Sequence, residues 1–166
     1  MELNQNKGTY SGVKFDDNTV NAVLKYIKDN KIPEGLPGNK LHSTVLYSRK
    51  YLPDYSPAGD YDEALEGTPT TFDVWPSEND DGTTSKCLVL KYDCKGLNKR
   101  HKELMDEHKA TYDFPKYEPH ITFSYNIGDL DIKKLPDIKS VLPNIKVVHE
   151  YGEDLDLNWA ITKGTK

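Results

Sequence analysis

A chain of 166 residues, 36% of them hydrophobic, falls in the range of one domain and can bury roughly two-thirds of its unfolded surface, so no disulfide or metal staple is required. Acidic residues outnumber basic ones 27 to 22, for a net charge of −5 with no concentrated run of Lys and Arg; this argues against long nucleic acid as a partner and leaves a small anionic ligand open. There is no run of about 18 apolar residues for a membrane span, and the polar start from Met1 to Lys7 lacks the apolar core of a secretory signal, so the protein is expected in the cytosol and away from membranes.

Taken in order, the chain is expected to form one domain over residues 1–166, with 1–7 a polar tail. Thr9 to Phe15 reads as a strand. Asp16 or Asp17 then offers an N-cap, and Val20, Val23, Leu24 and Ile27 follow the spacing of a helix with one buried face. Pro33, Gly35, Pro37 and Gly38 end that helix, and Leu41 to Tyr47 reads as the next strand. From Ser48 to about Thr68, prolines and tyrosines without a sustained period predict a long packed loop, a candidate lid. Thr70 to Trp75 is an expected strand stopped by Pro76, and Asn79 to Ser85 a turn-rich loop.

Lys86 to Asp93 reads as a buried strand through Cys87, Leu88, Val89 and Leu90. Cys87 and Cys94, seven steps of about 3.3 Å apart along it, would be separated by about 23 Å and cannot pair. A helix follows from Leu97 to Ala110. Its His101 and His108 lie seven apart, without the i, i+4 spacing and third ligand of a helical zinc site, so no metal is assigned to them. A proline-framed loop leads into a strand at His120. Short helical turns are expected at Ile132 to Leu135 and Ile138 to Leu142, and strands at Ile145 to Glu150 and Leu155 to Ile161.

Two of these strands carry the same six-residue pattern, His-x-Thr-x-x-Tyr: His42-Ser43-Thr44-Val45-Leu46-Tyr47 and His120-Ile121-Thr122-Phe123-Ser124-Tyr125. In a strand, positions i and i+2 share a face, so each copy presents an imidazole beside a hydroxyl. In the second copy Ile121, Phe123 and Tyr125 would pack inward, leaving His120, Thr122 and Ser124 polar; in the first, Ser43 interrupts the apolar face and Leu46 lies on the polar one. Val13 to His42 spans 29 positions and Leu90 to His120 spans 30, so each half reads strand, helix, loop, His strand. This predicts two like lobes facing a shared cleft.

Two imidazoles, one neutral and one charged near pH 7, are suited to concerted proton exchange, and two threonine hydroxyls can donate to phosphoryl oxygens. The motifs contain neither the nucleophile of carbonyl chemistry nor the carboxylates of metal-assisted hydrolysis. Metal-free cleavage of a phosphodiester, with no cofactor, is the chemistry this set fits.

The paired motifs resemble the signature of the two-histidine (2H) phosphoesterases, an α+β, bilobal fold with antiparallel sheets and the two motifs across a central cleft. More closely, Gly8-Thr9-Tyr10-Ser11-Gly12-Val13-Lys14-Phe15 and Lys40-Leu41-His42-Ser43-Thr44-Val45-Leu46-Tyr47-Ser48-Arg49 are similar to segments of the anti-CBASS phage nucleases, which destroy the cyclic di- and trinucleotide alarm signals of bacterial immunity. That resemblance implies His42, Thr44, His120 and Thr122 as the catalytic four. It implies hydrolysis of 3′-5′ bonds in a cyclic oligonucleotide substrate, in the cytosol of an infected bacterium. It also suggests Tyr10, Trp75, Glu153 and Trp159 as substrate-binding residues. Base–aromatic stacking contributes about 1–3 kcal/mol per base, and these two tryptophans are the only ones in the chain. Two other readings stay open: a 2H phosphodiesterase acting on RNA 2′,3′-cyclic ends or 2′-5′ oligoadenylates, and a sponge that binds cyclic nucleotides without cutting them.

Overall fold

A computed structural model describes residues 7–79, 81–112 and 116–156. The fold is α+β. Strand β1 (Lys7–Phe15) leads to helix α1 (Asp17–Asp29), capped by the Asp16 carboxylate, which accepts from the Thr19 N–H at 2.8 Å. That cap satisfies one of the amide donors orphaned at a helix start; Val23 of the expected face is buried while Val20, Leu24 and Ile27 are only partly so, and Thr19 and Tyr26 complete the buried side. Then come β2 (Ser43–Ser48), β3 (Gly59–Glu78), β4 (Thr84–Asp93), α2 (Lys95–Glu107), β5 (His120–Ser124) and β6 (Ile145–Asp156). Single 3₁₀ turns at Ile132–Lys134 and Ile138–Ser140 stand where short helical turns are expected.

The six strands pair antiparallel in the order β2-β1-β6-β3-β4-β5. The units β1-α1-β2 and β4-α2-β5 thus occupy the two ends of the order. The end strands nevertheless meet, because the Ser43 hydroxyl of β2 donates to the His120 carbonyl of β5 at 2.6 Å. Leu41, Val45, Leu46, Leu88, Leu90, Leu97, Leu104, Ile121 and Phe123 are all buried beneath this arrangement. Cys87 and Cys94 are buried free thiols.

Three expectations require correction. The long loop ends at residue 58, because Gly59 already pairs with Glu150 in the 20-residue β3. Pro76 does not stop that strand: it lies in register with Lys86. Residues 59–67 of β3 pair with β6 and residues 68–78 with β4 alone, so Pro69 and Pro76 fall where one edge is unpaired and a missing N–H costs no ladder bond. Finally, one strand, β6, covers both the 145–150 stretch and the start of the strand expected at Leu155; residues 157–161 lie outside the described residues.

Candidate active site

The two motifs share a feature beyond their letters. On β2, Thr44 opposes Gly12 and Leu46 opposes Ser11, which leaves Val45 as an extra residue; on β5, Thr122 opposes Val89 and Ser124 opposes Leu88, which leaves Phe123. Each motif therefore carries a β-bulge immediately after its threonine, and a bulge shifts the in–out alternation by one residue. Leu46 and Ser124, expected on the polar face, are fully buried, whereas Tyr47 and Tyr125 emerge 36% and 52% exposed. Ser124 is satisfied by donating to the Pro33 carbonyl at 2.6 Å. Both motif tyrosines line one open cleft with His42 and Thr44.

The two imidazoles are fixed in the same way. His42 immediately precedes β2, and its Nδ1 lies 2.9 Å from the Lys40 carbonyl; His120 opens β5, and its Nδ1 lies 2.9 Å from the Glu118 carbonyl. A carbonyl can only accept, so Nδ1 carries the hydrogen in both rings and Nε2 is the nitrogen that can exchange a proton. Burial lowers the His120 pKa; the Glu118 carbonyl opposes that shift, and the nearby His42 adds to it. The separation of the two motifs is set by Ser43. The buried Tyr92 hydroxyl donates to Ser43 Oγ at 2.7 Å, and Ser43 in turn donates to the His120 carbonyl.

The cleft holding His42, Thr44, Tyr10 and Glu153 has a volume of about 980 Å³. Tyr10 shares a 3.0 Å hydrogen bond with Thr44 Oγ1, and its ring stands 6.4 Å from His42 and 6.1 Å from Tyr151. Burial pushes its phenol well above the usual range. Gly12 makes this cluster possible, since a Cβ there would come within 2.7 Å of the Tyr151 ring and 2.9 Å of Tyr10. Trp75 packs edge-on against His120 with centroids 4.4 Å apart and donates its indole N–H to Asp73 at 2.9 Å. Thr122, half-buried, follows two residues after His120 on β5. Trp159 lies outside the described residues.

Sequence reasoning did not single out Ser43 or Tyr151, and placed the motif tyrosines wrongly. The tyrosine shared by both copies of the repeat was a usable signal for the latter. Among the described residues, no three His, Cys, Asp or Glu side chains converge so as to hold a metal ion, and no helix is long and apolar enough to cross a membrane.

The chain matches the family described as anti-CBASS protein Acb1 over residues 7–162. It is 36% identical over 154 residues to the anti-CBASS protein Acb1 of Acinetobacter phage Ac42, covering 92% of this chain and 94% of that protein. The namesake in Enterobacteria phage T4 is 36% identical over 153 residues, with 92% and 91% covered, and that of Salmonella phage S16 is 34% identical over 152 residues with the same coverage. With the family matched from end to end of the described residues, the chain belongs to the anti-CBASS protein Acb1 family.

Proposed function

We propose that this protein is a metal-independent phosphodiesterase of the two-histidine type that hydrolyses 3′-5′ bonds of cyclic di- and trinucleotide second messengers, and so serves a phage against bacterial CBASS immunity. The observation that carries this reading is the matched pair of imidazoles, each clamped through Nδ1 to the carbonyl two residues before it and each followed by a threonine and a bulge. The corresponding β1-α1-β2 and β4-α2-β5 units at the two ends of the strand order support a bilobal, pseudo-twofold reading of the fold.

His120, whose pKa burial lowers, takes the proton of the ribose 2′-hydroxyl as that oxygen attacks phosphorus, and His42 protonates the departing 5′-oxygen. The product is a 2′,3′-cyclic phosphate or, after hydrolysis, a 3′-phosphate. Thr44 and Thr122 donate to the non-bridging oxygens, where charge builds up in the transition state. Tyr10, Trp75 and Trp159 contact the bases, and Glu153 accepts from a base N–H.

The test is incubation in EDTA with 3′,3′-cyclic GMP-AMP, a 2′-5′ oligoadenylate and an RNA 2′,3′-cyclic end, with products resolved. Only the first should be consumed rapidly. Binding without turnover would leave a sponge, and loss of activity in chelator would sink the metal-free route. His42→Ala and His120→Ala should each lower kcat by about 10²- to 10⁴-fold with the fold intact.

A further inference from the structure

Lys14 and Lys40 stand together in the wall of the cleft that holds His42. Four lysines outside this cleft are paired with acids, Lys25 with Asp29, Lys102 with Asp106 at 2.8 Å, Lys91 with Glu118 at 3.3 Å and Lys7 with Asp154 at 3.8 Å. Among the described residues, no carboxylate forms an ion pair with Lys14 or Lys40. Lys14 is fixed in place: its Nζ donates to the Asn39 carbonyl at 3.0 Å and lies 5.4 Å above the centre of the Tyr151 ring. Partial burial and then the neighbouring Lys40 charge lower the Lys14 pKa, while Glu153 opposes them. Two ammonium groups at one cleft wall therefore repel each other, a cost that Glu153 on the same cleft offsets only in part. An anion bound between them relieves it.

The position of this pair relative to the imidazoles suggests which anion. Lys40 ends the 3₁₀ turn Gly38–Lys40, and its own carbonyl receives His42 Nδ1, so one short segment carries both an ammonium and the proton-transfer group. A cyclic oligonucleotide has at least two phosphodiesters on one closed ring. When one is at His42, the cleft that His42 lines, at roughly 980 Å³ near the upper end of small-ligand sites, has room for another along the wall carrying Lys14 and Lys40. We propose that Lys14 and Lys40 form a subsite for a second, non-scissile phosphodiester, so that the cleft selects ligands with two or more phosphodiesters over those with one. This rests on the phosphodiesterase reading for the identity of the ligand.

The experiment compares two ligands that resist or tolerate the chemistry differently from the way they fill the subsite. Binding of the bis-phosphorothioate of 3′,3′-cyclic GMP-AMP, which has two phosphodiesters, and of the linear dinucleotide ApG, which has one, is measured by calorimetry for the wild type and for Lys14→Gln/Lys40→Gln. The wild-type preference for the two-phosphodiester ligand should fall by about 10- to 100-fold in the variant. Lys14→Arg/Lys40→Arg should restore it, and the preference should weaken with added salt only when the lysines are present. An equal loss for both ligands, no loss for either, or no binding of the two-phosphodiester ligand by the wild type would overturn the subsite. Turnover of unmodified 3′,3′-cyclic GMP-AMP by the wild type is scored separately: binding with the expected preference but no cleavage would refute the phosphodiesterase reading and leave the subsite standing.

Discussion

Ser43 sits inside the first motif, yet its hydroxyl serves the second. It accepts from Tyr92 and donates to the carbonyl of His120, 77 positions away, so it ties the two motifs together. Ser43→Ala should cost about 1–3 kcal/mol in urea unfolding, because a buried phenol and a carbonyl lose their partners. It should also lower kcat more than it raises KM. His120 supplies a second expectation. Its pKa is below the ordinary imidazole value, so it is neutral and able to accept a proton above that point and blocked below it. The kcat/KM profile should be bell-shaped, with its acid limb falling through a midpoint under about 6.5; an acid midpoint above 7 would contradict His120 as the base. As candidates, His42, Thr44, His120 and Thr122 came from the repeat, which spells them out. Ser43 was not, because its partner is a main-chain carbonyl that no side-chain pattern reveals.

At the scale of elements, the bulges decide which motif side chains face the cleft and which are buried, and two side chains brace the bulge of β2. The carbonyls of Thr44 and Val45 are taken by Tyr117, whose hydroxyl donates at 2.7 Å, and by His101, whose Nδ1 lies 2.8 Å from Val45 O. The two rings stack with centroids 4.3 Å apart and planes within 7°. The sequence suggested only that the histidines of α2 were poorly spaced for a metal; His101 instead bonds a strand 56 positions away. Burial lowers its pKa, so the unfolded chain binds the proton more readily than the fold does. Stability should therefore be full above about pH 6.5 and decline as pH falls below it. His101→Phe keeps a ring against Tyr117 but removes the donor. It should cost about 1–3 kcal/mol at pH 7.5 and flatten the loss of stability between pH 7 and 5, both read by urea unfolding at several pH values. Strand β3 was only half legible because its first part is rich in Asp and Glu and only partly buried, without a regular apolar alternation, while its prolines mimic a strand end.

Across the whole molecule, the near-equal spacing of the β1-α1-β2 and β4-α2-β5 units was readable because topology repeats leave sequence intervals behind; the tie that joins the elements around them was not. That tie is a fully buried carboxylate, Glu150, on β6. Arg100 of α2 grips it with Nε–Oε1 at 2.8 Å and Nη2–Oε2 at 3.0 Å. Tyr55 and Tyr61 donate to it at 2.8 and 3.1 Å, as does the Ala58 amide at 3.1 Å. The Tyr55 hydroxyl also lies 2.7 Å from Ser11 Oγ on β1. One carboxylate thus joins α2, β6, β1 and the loop before β3. Burial alone would raise its pKa, but the bonds from Arg100 and Tyr55 outweigh burial and hold it below the usual carboxylate range. Its contribution to stability should be present above about pH 4.3 and disappear as pH falls through the depressed value. Arg100→Met strands this charge in the interior and should cost about 3–5 kcal/mol in guanidinium unfolding, whereas adding Glu150→Gln should recover part of that loss, because a neutral amide needs no counter-charge. The Ala58 amide should exchange faster in the single variant, since its acceptor is no longer held in place. A single-variant cost under about 1 kcal/mol, with unchanged exchange at Ala58, would mean that the loop is held by its aromatic packing and that the carboxylate is dispensable.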